Sequence, residues 1–336
     1  MRVLIDARGL LFACEQTAPK HLGIHWEFMP NFEAFCVALG QRSRLAFLLN
    51  HPSNRAMIEQ AWWPLALELG QLRAQSDRPI VLGILGVQGA GKTTLCEAMA
   101  VALELLGWRT LSWSIDDLYK TYADRQRLQA RDPRLIWRGP PGTHDVDLGL
   151  ETLRALRSPQ SSTIAIPRFD KSCHGGQGDR VAAEMIQPVD IVLFEGWFVG
   201  AKPIDFTTLV DWPAPIFSEA DRTFAQDCNQ RLRDYLPLWE WCDRLLILKP
   251  TDYHFSKQWR QQAERDQIAA GGQGLSEAEI SDFVDYFWKA LHPKLFVDPL
   301  LAAEAADWVF EFGIDRQLTR VTRSPGSYLN FGHPIA

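Results

Sequence analysis

The stretch "VLGILGVQGAGKTTL" at residues 81–95 constrains this chain more than any other part of its sequence. Residues 86–93 fit the pattern G-x-x-x-x-G-K-[ST], in which glycines let backbone N–H groups curl around phosphate oxygens. An apolar run precedes the pattern and the helix-favouring "TLCEAMAVALELLG" follows it, so we predict a buried strand that turns into a helix. The N-terminus of that helix adds partial positive charge to the loop. The stretch therefore predicts a nucleoside triphosphate site.

The residues of this loop have distinct expected roles. Lys92 is expected to reach the β- and γ-phosphates, where it acts as a catalytic cation, and the Thr93 hydroxyl is expected to bind Mg²⁺. The alternative is a glycine turn that carries an exposed lysine. The residues predicted to bind the nucleotide are Gly86, Gly89, Ala90, Gly91, Lys92, Thr93 and Thr94.

Short apolar runs alternate with helical segments beyond residue 77. The runs are "IVLGILGV", "RTLSWSI", "STIAIPRF", "DIVLFEGW", "RLLILK" and "DWVFEF", and helices are expected at 92–106, about 148–157, 219–235 and 255–270. Such alternation is typical of a mostly parallel sheet with helices on both faces. We therefore predict an α/β fold of the P-loop NTPase type for residues 77–336.

Residues 1–76 are interpreted as an N-terminal helical segment packed on that core. In "RAMIEQAWWPLALELGQLRAQ" (55–75) apolar residues recur at helical spacing, and Pro64 predicts a kink or a restart of the helix. Two polar loops rich in glycine and proline, 138–147 and 170–180, interrupt the pattern further along. Long loops in a compact α/β domain are more often functional than not.

Charge and cysteine usage limit the partners of the protein. The formal net charge of -6 argues against a binder of nucleic acids or membrane surfaces, which is usually basic. The six cysteines form no C-x-x-C pair, which is typical of reduced thiols in a cytosol-like compartment. No apolar stretch approaches the ~18 residues of a bilayer span. We therefore expect a cytoplasmic protein with no nucleic-acid partner and no membrane partner.

Carboxylates follow two of the predicted strands. "DIVLFEGW" places Glu195 at the edge of the sheet where ligands of open α/β sheets bind, so Glu195 is predicted to hold the metal; the alternative is a surface group. "LSWSIDDLY" ends the second strand with Asp116 and Asp117. Transfer to a hydroxyl needs a carboxylate that accepts the hydroxyl proton, and Asp116 is predicted as that base or as a metal ligand. The alternative is that the two acids only cap a helix.

Together these residues resemble the P-loop small-molecule kinases related to phosphoribulokinase, uridine kinase and pantothenate kinase. The second strand of that group ends in S-x-D-x-[FL]-Y or a relative of it, which Ser114, Asp116, Leu118 and Tyr119 match. Within the group, residues 77 to about 300 are most similar to the plant- and cyanobacterial-type glycerate 3-kinases. The similarity depends on "SIDDLY", "RGPPGTHD", "IPRFDKSCHGGQGDR", "VLFEGWFVGAKP" and "QWRQQAE".

This resemblance implies ATP-dependent phosphorylation of D-glycerate to 3-phosphoglycerate, the salvage step of photorespiration, with ATP and Mg²⁺ as cofactors. It also implies that Asp116 is the catalytic base. Asp117 stands where uridine kinases usually carry a small residue, so the resemblance leaves a choice between Asp116 and Asp117 as the proton acceptor. The resemblance makes no prediction of the oligomeric state.

A small anion such as glycerate needs local cations in an acidic protein, best an arginine that donates two parallel hydrogen bonds. Arg168 and Lys171 follow a strand end and are expected at the same edge as the phosphate loop. The alternative is that these cations are solvated or paired with Asp170 and Asp179. The residues predicted to bind the substrate are Asp116, Arg138, His144, Arg168 and Lys171, with Arg180 in the same loops.

The stretch "FSKQWRQQAERD" (255–266) is predicted to be the helix of a mobile lid spanning about 250–272. In the related kinases a lid brings arginines over the phosphates, so Arg260 and Arg265 are predicted to be catalytic. The alternative is an ordinary charged helix with local pairs such as Arg260–Glu264.

Two other functions remain open from the sequence. One is a kinase of the same architecture that acts on pantothenate, uridine or ribulose 5-phosphate. The other is a P-loop ATPase that uses hydrolysis for assembly or regulation, which needs no acid to activate a hydroxyl.

Overall fold

The computed structural model describes residues 3–5, 11–13, 30–158, 162–269 and 276–324. Its main sheet has six strands in the order β10-β9-β8-β3-β7-β4. The strands are β1 (Val3–Ile5), β2 (Leu11–Ala13), β3 (Ile80–Gly86), β4 (Thr110–Ser114), β5 (Ile164–Asp170), β6 (Asp179–Ile186), β7 (Ile191–Gly196), β8 (Arg244–Pro250), β9 (Trp308–Phe312) and β10 (Leu318–Arg323).

The main sheet confirms the predicted α/β architecture. Strand β3 is buried along its whole length and pairs in parallel with β7 on one side and β8 on the other. Strands β4 and β9 extend the sheet in parallel, and only the edge strand β10 runs antiparallel. Because parallel strands all end at the same edge, the residues after β3, β4 and β7 meet there.

Helices cover both faces of the sheet, and each predicted helix is present. Of the segment 255–270, residue 270 lies outside the described residues. The helices are α1 (Phe32–Gln41), α2 (Pro52–Met57), α3 (Trp63–Ala74), α4 (Lys92–Leu105), α5 (Tyr122–Arg131), α6 (Val146–Leu156), α7 (Glu219–Arg231), α8 (Leu236–Trp239), α9 (Phe255–Ala269), α10 (Glu277–Ala290), α11 (Pro293–Phe296) and α12 (Asp298–Ala302).

The N-terminal helices share one hydrophobic core with the sheet. Phe35, Trp62 and Leu69 are buried in the same cluster as Leu82 of β3 and Trp308 of β9. The predicted restart of the helix is present: a π-helical turn at 58–62 precedes α3, whose first turn carries the proline. The extra residue in such a turn absorbs the hydrogen bond that proline cannot donate. The domain boundary at residue 76 stays a prediction.

The third apolar run was wrongly expected in the parallel sheet. Strand β5 pairs instead with β6 in a separate antiparallel hairpin, and β6 begins inside the stretch 170–180 that was predicted to be a loop. The outer strand of the hairpin is largely exposed, whereas Ile164 and Ile166 of β5 are buried. A short apolar run does not distinguish a buried parallel strand from one half of a hairpin.

Candidate active site

The phosphate-binding loop joins β3 to α4 with the geometry that its glycines allow. Gly89 has φ 77° and Gly91 has φ 83°, values that side chains with a Cβ rarely adopt. Gly91 is the residue before the first turn of α4. The Lys92 ammonium donates to the carbonyl oxygens of Gly86 at 2.9 Å and Val87 at 3.4 Å. The lysine thus lies across the concave side of the loop, where a phosphate is expected.

Glu195 lies beside this lysine on the neighbouring strand. It pairs in register with Ile84 of β3, and its Oε2 is 4.0 Å from the Lys92 ammonium. Glu195 is buried, with 9% of its surface exposed. Burial raises the pKa of its carboxyl, and the Lys92 ammonium offsets part of that rise.

The same place fits a magnesium ion that takes most of its ligands from nucleotide and water. Thr93 is exposed in the first turn of α4 and follows Lys92, whose ammonium lies 4.0 Å from the buried carboxylate of Glu195. Among the described residues no group of three or more histidine, cysteine or acidic side chains is arranged to hold a metal. Mg²⁺ typically uses one or two protein oxygen ligands together with substrate phosphates, so a hydroxyl and one carboxylate are a suitable donor set.

Asp117 is tied into the backbone at the end of β4. A short 3₁₀ turn at 115–118 follows the strand, and the Asp117 carboxylate accepts backbone N–H groups from Ser114 at 3.4 Å and Phe169 at 3.2 Å. It also accepts from the Arg168 guanidinium at 2.9 Å. Burial raises the pKa of Asp117 even though Arg168 acts against that rise. These contacts give Asp117 the role of a cap.

Asp116 contacts a different part of the same hairpin, namely its loop. Its Oδ2 lies 2.7 Å from the Lys171 ammonium, and the Tyr119 hydroxyl donates a hydrogen bond to it. Burial tends to raise the pKa of Asp116, but the Lys171 ammonium and these hydrogen bonds outweigh it and lower that pKa. The carboxylate is therefore ionised at neutral pH, as a general base must be.

The carboxylates of Asp116 and Glu195 lie close enough to the ammonium groups of Lys92 and Lys171 for their charges to interact. The charges of Lys92, Asp116 and Lys171 all act on the Glu195 carboxyl, so these side chains form one cluster. The structure thus brings together the predicted base, the predicted metal ligand and the phosphate-binding lysine. Their assigned roles stay predictions.

His144 lies behind this cluster, not on its surface. Only 1% of it is exposed, and its ring stacks on Tyr119 with centroids 4.6 Å apart. The Tyr235 hydroxyl accepts from the backbone N–H groups of Gly142 and His144, so its own proton points to the His144 Nδ1, 2.8 Å away. Burial lowers the pKa of His144 to about 3. The imidazole is therefore neutral, with its proton on Nε2.

The predicted substrate cations divide into two kinds. Arg168 is committed to two carboxylates, those of Asp117 and Glu184, and Arg180 pairs with Asp145 at 3.0 Å. Arg138 donates to two backbone carbonyls of the hairpin loop. The alternative expectation, pairing of these cations with Asp170 and Asp179, does not describe the contacts of Arg168 or Lys171.

The predicted lid helix α9 packs directly on the phosphate loop. A Cβ built on Gly89 lies 2.8 Å from the Trp259 Cβ, so only glycine lets the helix approach this closely. Arg260 pairs with the buried Glu264 at 2.7 Å, and Arg265 lies 3.3 Å from Glu277. The local pairs of the alternative interpretation are thus present, on a helix placed where a lid is expected.

Sequence reasoning missed two side chains of this site. Arg316, in the turn between β9 and β10, donates to the carbonyl oxygens of Gly89 at 3.0 Å and Trp259 at 3.3 Å, and so links the phosphate loop to α9. No motif marks this turn. Arg125, on α5, lies against the hairpin loop. An arginine on a polar helix gives no signal, because such helices are usually solvated on all sides.

A glycine-rich loop between a central parallel strand and a helix, with carboxylates at the ends of the neighbouring strands, is typical of P-loop nucleotide-binding proteins. No family model matches the chain. It is 32% identical over 233 residues to the chloroplastic D-glycerate 3-kinase of Arabidopsis thaliana. The matched region covers 66% of this chain and 49% of that protein. It is also 32% identical over 219 residues to an uncharacterized kinase of Schizosaccharomyces pombe. That match covers 62% of this chain and 79% of the yeast protein.

A solved structure is similar over most of the chain. The D-glycerate 3-kinase of Cryptococcus neoformans matches with a TM-score of 0.68 and 27% identity, over 80% of this chain and 99% of its own. The chain therefore belongs to the family of P-loop kinases that includes D-glycerate 3-kinase. It spans about half the length of the Arabidopsis relative. In the described ranges, no helix combines the length and the apolar character that crossing a bilayer requires.

Proposed function

We propose that this protein transfers the γ-phosphoryl group of ATP to the C3 hydroxyl of D-glycerate, giving 3-phosphoglycerate and ADP. The observation that carries the proposal is the ionised carboxylate of Asp116, which lies in the same cluster as Lys92 and Glu195. In a hydrolytic ATPase the nucleophile is water, whereas here the Asp116 carboxylate is proposed to accept the proton of a substrate hydroxyl. The names of two similar proteins, from Arabidopsis thaliana and Cryptococcus neoformans, support glycerate as the acceptor.

The reaction assigns a task to each side chain of the cluster. Asp116 accepts the proton of the attacking hydroxyl while the bond from the γ-phosphorus to ADP breaks. Lys92 and the N–H groups of the loop hold the charge that spreads over the phosphoryl oxygens. Thr93 and Glu195 are the residues that would hold Mg²⁺, which neutralises part of that charge when bound. Arg260 and Arg265 are proposed to stabilise it from the lid.

The acceptor is held by the side of the site that faces the hairpin. Arg138 and Lys171 are proposed to bind the glycerate carboxylate and hydroxyls, and Arg168 to hold Asp117 and the hairpin in position. Its pairing with Asp117 and Glu184 supports this second task. Binding of glycerate by Arg168 itself, and by His144, stays a prediction. So do a photorespiratory role and a cytoplasmic location; the Arabidopsis relative is named as chloroplastic.

One assay distinguishes the proposed function from its alternatives. ADP formation is measured with D-glycerate, glycerol, pantothenate, uridine and ribulose 5-phosphate, and the product is identified by NMR. We expect strong stimulation by D-glycerate and 3-phosphoglycerate as the product, with glycerol far poorer because it offers no carboxylate to the cations on the hairpin side of the site. Pantothenate or uridine as the best acceptor would move the protein to another branch of these kinases. ADP formation that no acceptor stimulates would indicate an ATPase.

A further inference from the structure

The loop that joins β5 to β6 has an unusual backbone. Four of its residues have positive φ: His174 at 51°, Gly175 at 64°, Gly176 at 91° and Gly178 at 71°. Three of the four are glycines, which adopt these angles at little cost. Successive left-handed residues let neighbouring carbonyl groups point to the same side, and the side chains that these carbonyls meet are two arginines.

Arg138 and Arg125 bind neighbouring carbonyls of this loop. The Nη1 of Arg138 donates to Gly176 at 2.8 Å and to Gln177 at 2.9 Å. The Nη2 of Arg125 donates to Gly178, and its Nε donates to Lys120 at 3.1 Å. The two guanidinium groups also contact the same ring, that of Phe169, at 5.7 Å and 5.3 Å from its centroid. They are therefore neighbours, held by the same short stretch of chain.

Within the described residues, neither guanidinium forms an ion pair. The charge of Asp179 acts on Arg125, but the Asp179 oxygens accept from the backbone N–H groups of Tyr122 and Arg180 and contact the His174 ring. Burial and the charge of Arg138 lower the pKa of Arg125. Two cations held together without a carboxylate between them favour binding of an anion.

Tyr119 contacts both Arg138 and Asp116. The Arg138 guanidinium lies 5.9 Å from the centre of the Tyr119 ring, and the Tyr119 hydroxyl bonds to Asp116. A three-carbon acid spans roughly 5 Å from its carboxylate to its terminal hydroxyl, with bonds of about 1.5 Å. The proposal requires that a carboxylate on the arginines leave a hydroxyl next to Asp116.

We propose that Arg125 and Arg138 together form the carboxylate-binding site of the acceptor, so that Arg125 determines specificity for small hydroxy acids. The proposal rests on the proposed function, because it assumes an anionic acceptor of that size. Bidentate donors from two guanidiniums match the two oxygens of a carboxylate. The loop glycines then have a purpose: their carbonyls orient both arginines before the acceptor arrives.

The test compares Arg125→Gln and Arg138→Gln with a matched control, Arg127→Gln, on the exposed side of the same helix, where Arg127 pairs only with Asp124. Two measurements are made for each protein. The first is kcat and KM for D-glycerate and for ATP. The second is calorimetric binding of D-lactate, which has the carboxylate and the C2 configuration of D-glycerate but no C3 hydroxyl, and of propane-1,2-diol, which has neither carboxylate nor charge. Thermal unfolding checks that each variant is folded.

We expect lactate to bind the wild type and the diol not to bind. Both site variants should weaken lactate binding and raise the KM for glycerate at least about tenfold, because charge-assisted hydrogen bonds are lost, while the KM for ATP stays unchanged. Arg127→Gln should match the wild type. Arg125→Lys should restore binding only in part, since an ammonium lacks the planar pair of donors.

The outcomes for the site and for the function are separate. If glycerate is turned over and Arg125→Gln binds lactate as well as the wild type does, the carboxylate site is wrong and the proposed function stands. If glycerate is not turned over but lactate binding still depends on both arginines, the function fails and the site stands. A wild type that binds no lactate at millimolar concentration overturns the site, and so does a loss of ATP affinity equal to that for glycerate.

Discussion

The ammonium of Lys171 lies 2.7 Å from the carboxylate of Asp116, across the gap between the hairpin and the end of β4. The two residues are 55 positions apart in the chain, so only the fold brings them together. The contact keeps the carboxylate ionised and also places a cation beside the hydroxyl that the carboxylate is proposed to deprotonate. It makes the two neighbouring aspartates unequal, which the following substitutions test.

Asp116→Asn and Asp117→Asn form a matched pair. Asparagine at position 116 cannot accept the proton, so turnover should fall roughly 10²–10⁴-fold with nucleotide binding largely kept. The Asp117→Asn variant lacks one of the two ionic partners of Arg168, so its unfolding temperature should fall more than its kcat does. Steady-state kinetics and thermal unfolding of both variants give the answer. A severe kinetic defect in Asp117→Asn with a mild one in Asp116→Asn would identify Asp117 as the catalytic base.

Lys92→Ala tests the phosphate loop. The fold should remain, because the lysine donates to carbonyls of its own loop and its contact with Glu195 is long, at 4.0 Å. Turnover should fall roughly 10²-fold or more, since a preorganised cation that faces the transition-state charge is lost. Circular dichroism and ADP release measure the two effects, and near-normal turnover in the folded variant would contradict the assigned role.

The two lid arginines should behave differently. Arg265→Ala removes a side chain that is about half exposed and should reduce turnover with little change in stability. Arg260→Ala also removes a partner of Glu264, whose side chain is 5% exposed, so stability should fall by about 1–3 kcal/mol.

The double variant Arg260→Ala/Glu264→Gln separates the two roles of Arg260. It should recover part of the lost stability, because no buried charge is left without its cation, and it should keep the defect in turnover. If turnover returns together with stability, Arg260 is structural only. Chemical denaturation and kcat are measured on the same preparations.

His144 should make the protein acid-sensitive. Its folded pKa of about 3 lies below the ordinary value of 6.5, so below pH 6.5 the unfolded chain binds the proton and the folded one does not. The stability that is present above pH 6.5 is therefore lost as the pH falls toward 3, by about 1.4 kcal/mol per pH unit.

The matched comparison is His144→Gln against His254→Gln, a change at a surface histidine that is about half exposed. Urea unfolding at several pH values between about 4.5 and 7 should show a flatter dependence for His144→Gln, by roughly 2–3 kcal/mol over that interval. His254→Gln should keep the slope of the wild type. Equal slopes in all three proteins would show that His144 takes up its proton without unfolding.

The sequence by itself determined the phosphate loop, the alternation of strands and helices around it and the carboxylates at the strand ends. These features depend on local patterns: glycine spacing sets the loop, uninterrupted apolar runs set buried strands, and residues that follow such strands must lie at one edge. The break at Pro64 is of the same kind, because it follows from one missing N–H group. The family resemblance added the acceptor and the lid, whose chemistry no local pattern expresses.

Only the tertiary structure decided which charges meet. The run 162–169 has the composition of a buried strand, and its place in a hairpin depends on what packs against it, not on its own residues. That placement brings Lys171 to Asp116, commits Arg168 to Asp117 and Glu184, and sets Arg125 beside Arg138. Ion pairing depends on distances between segments far apart in the chain, and the same arginine is solvated, structural or substrate-binding according to which of them lies within about 4 Å.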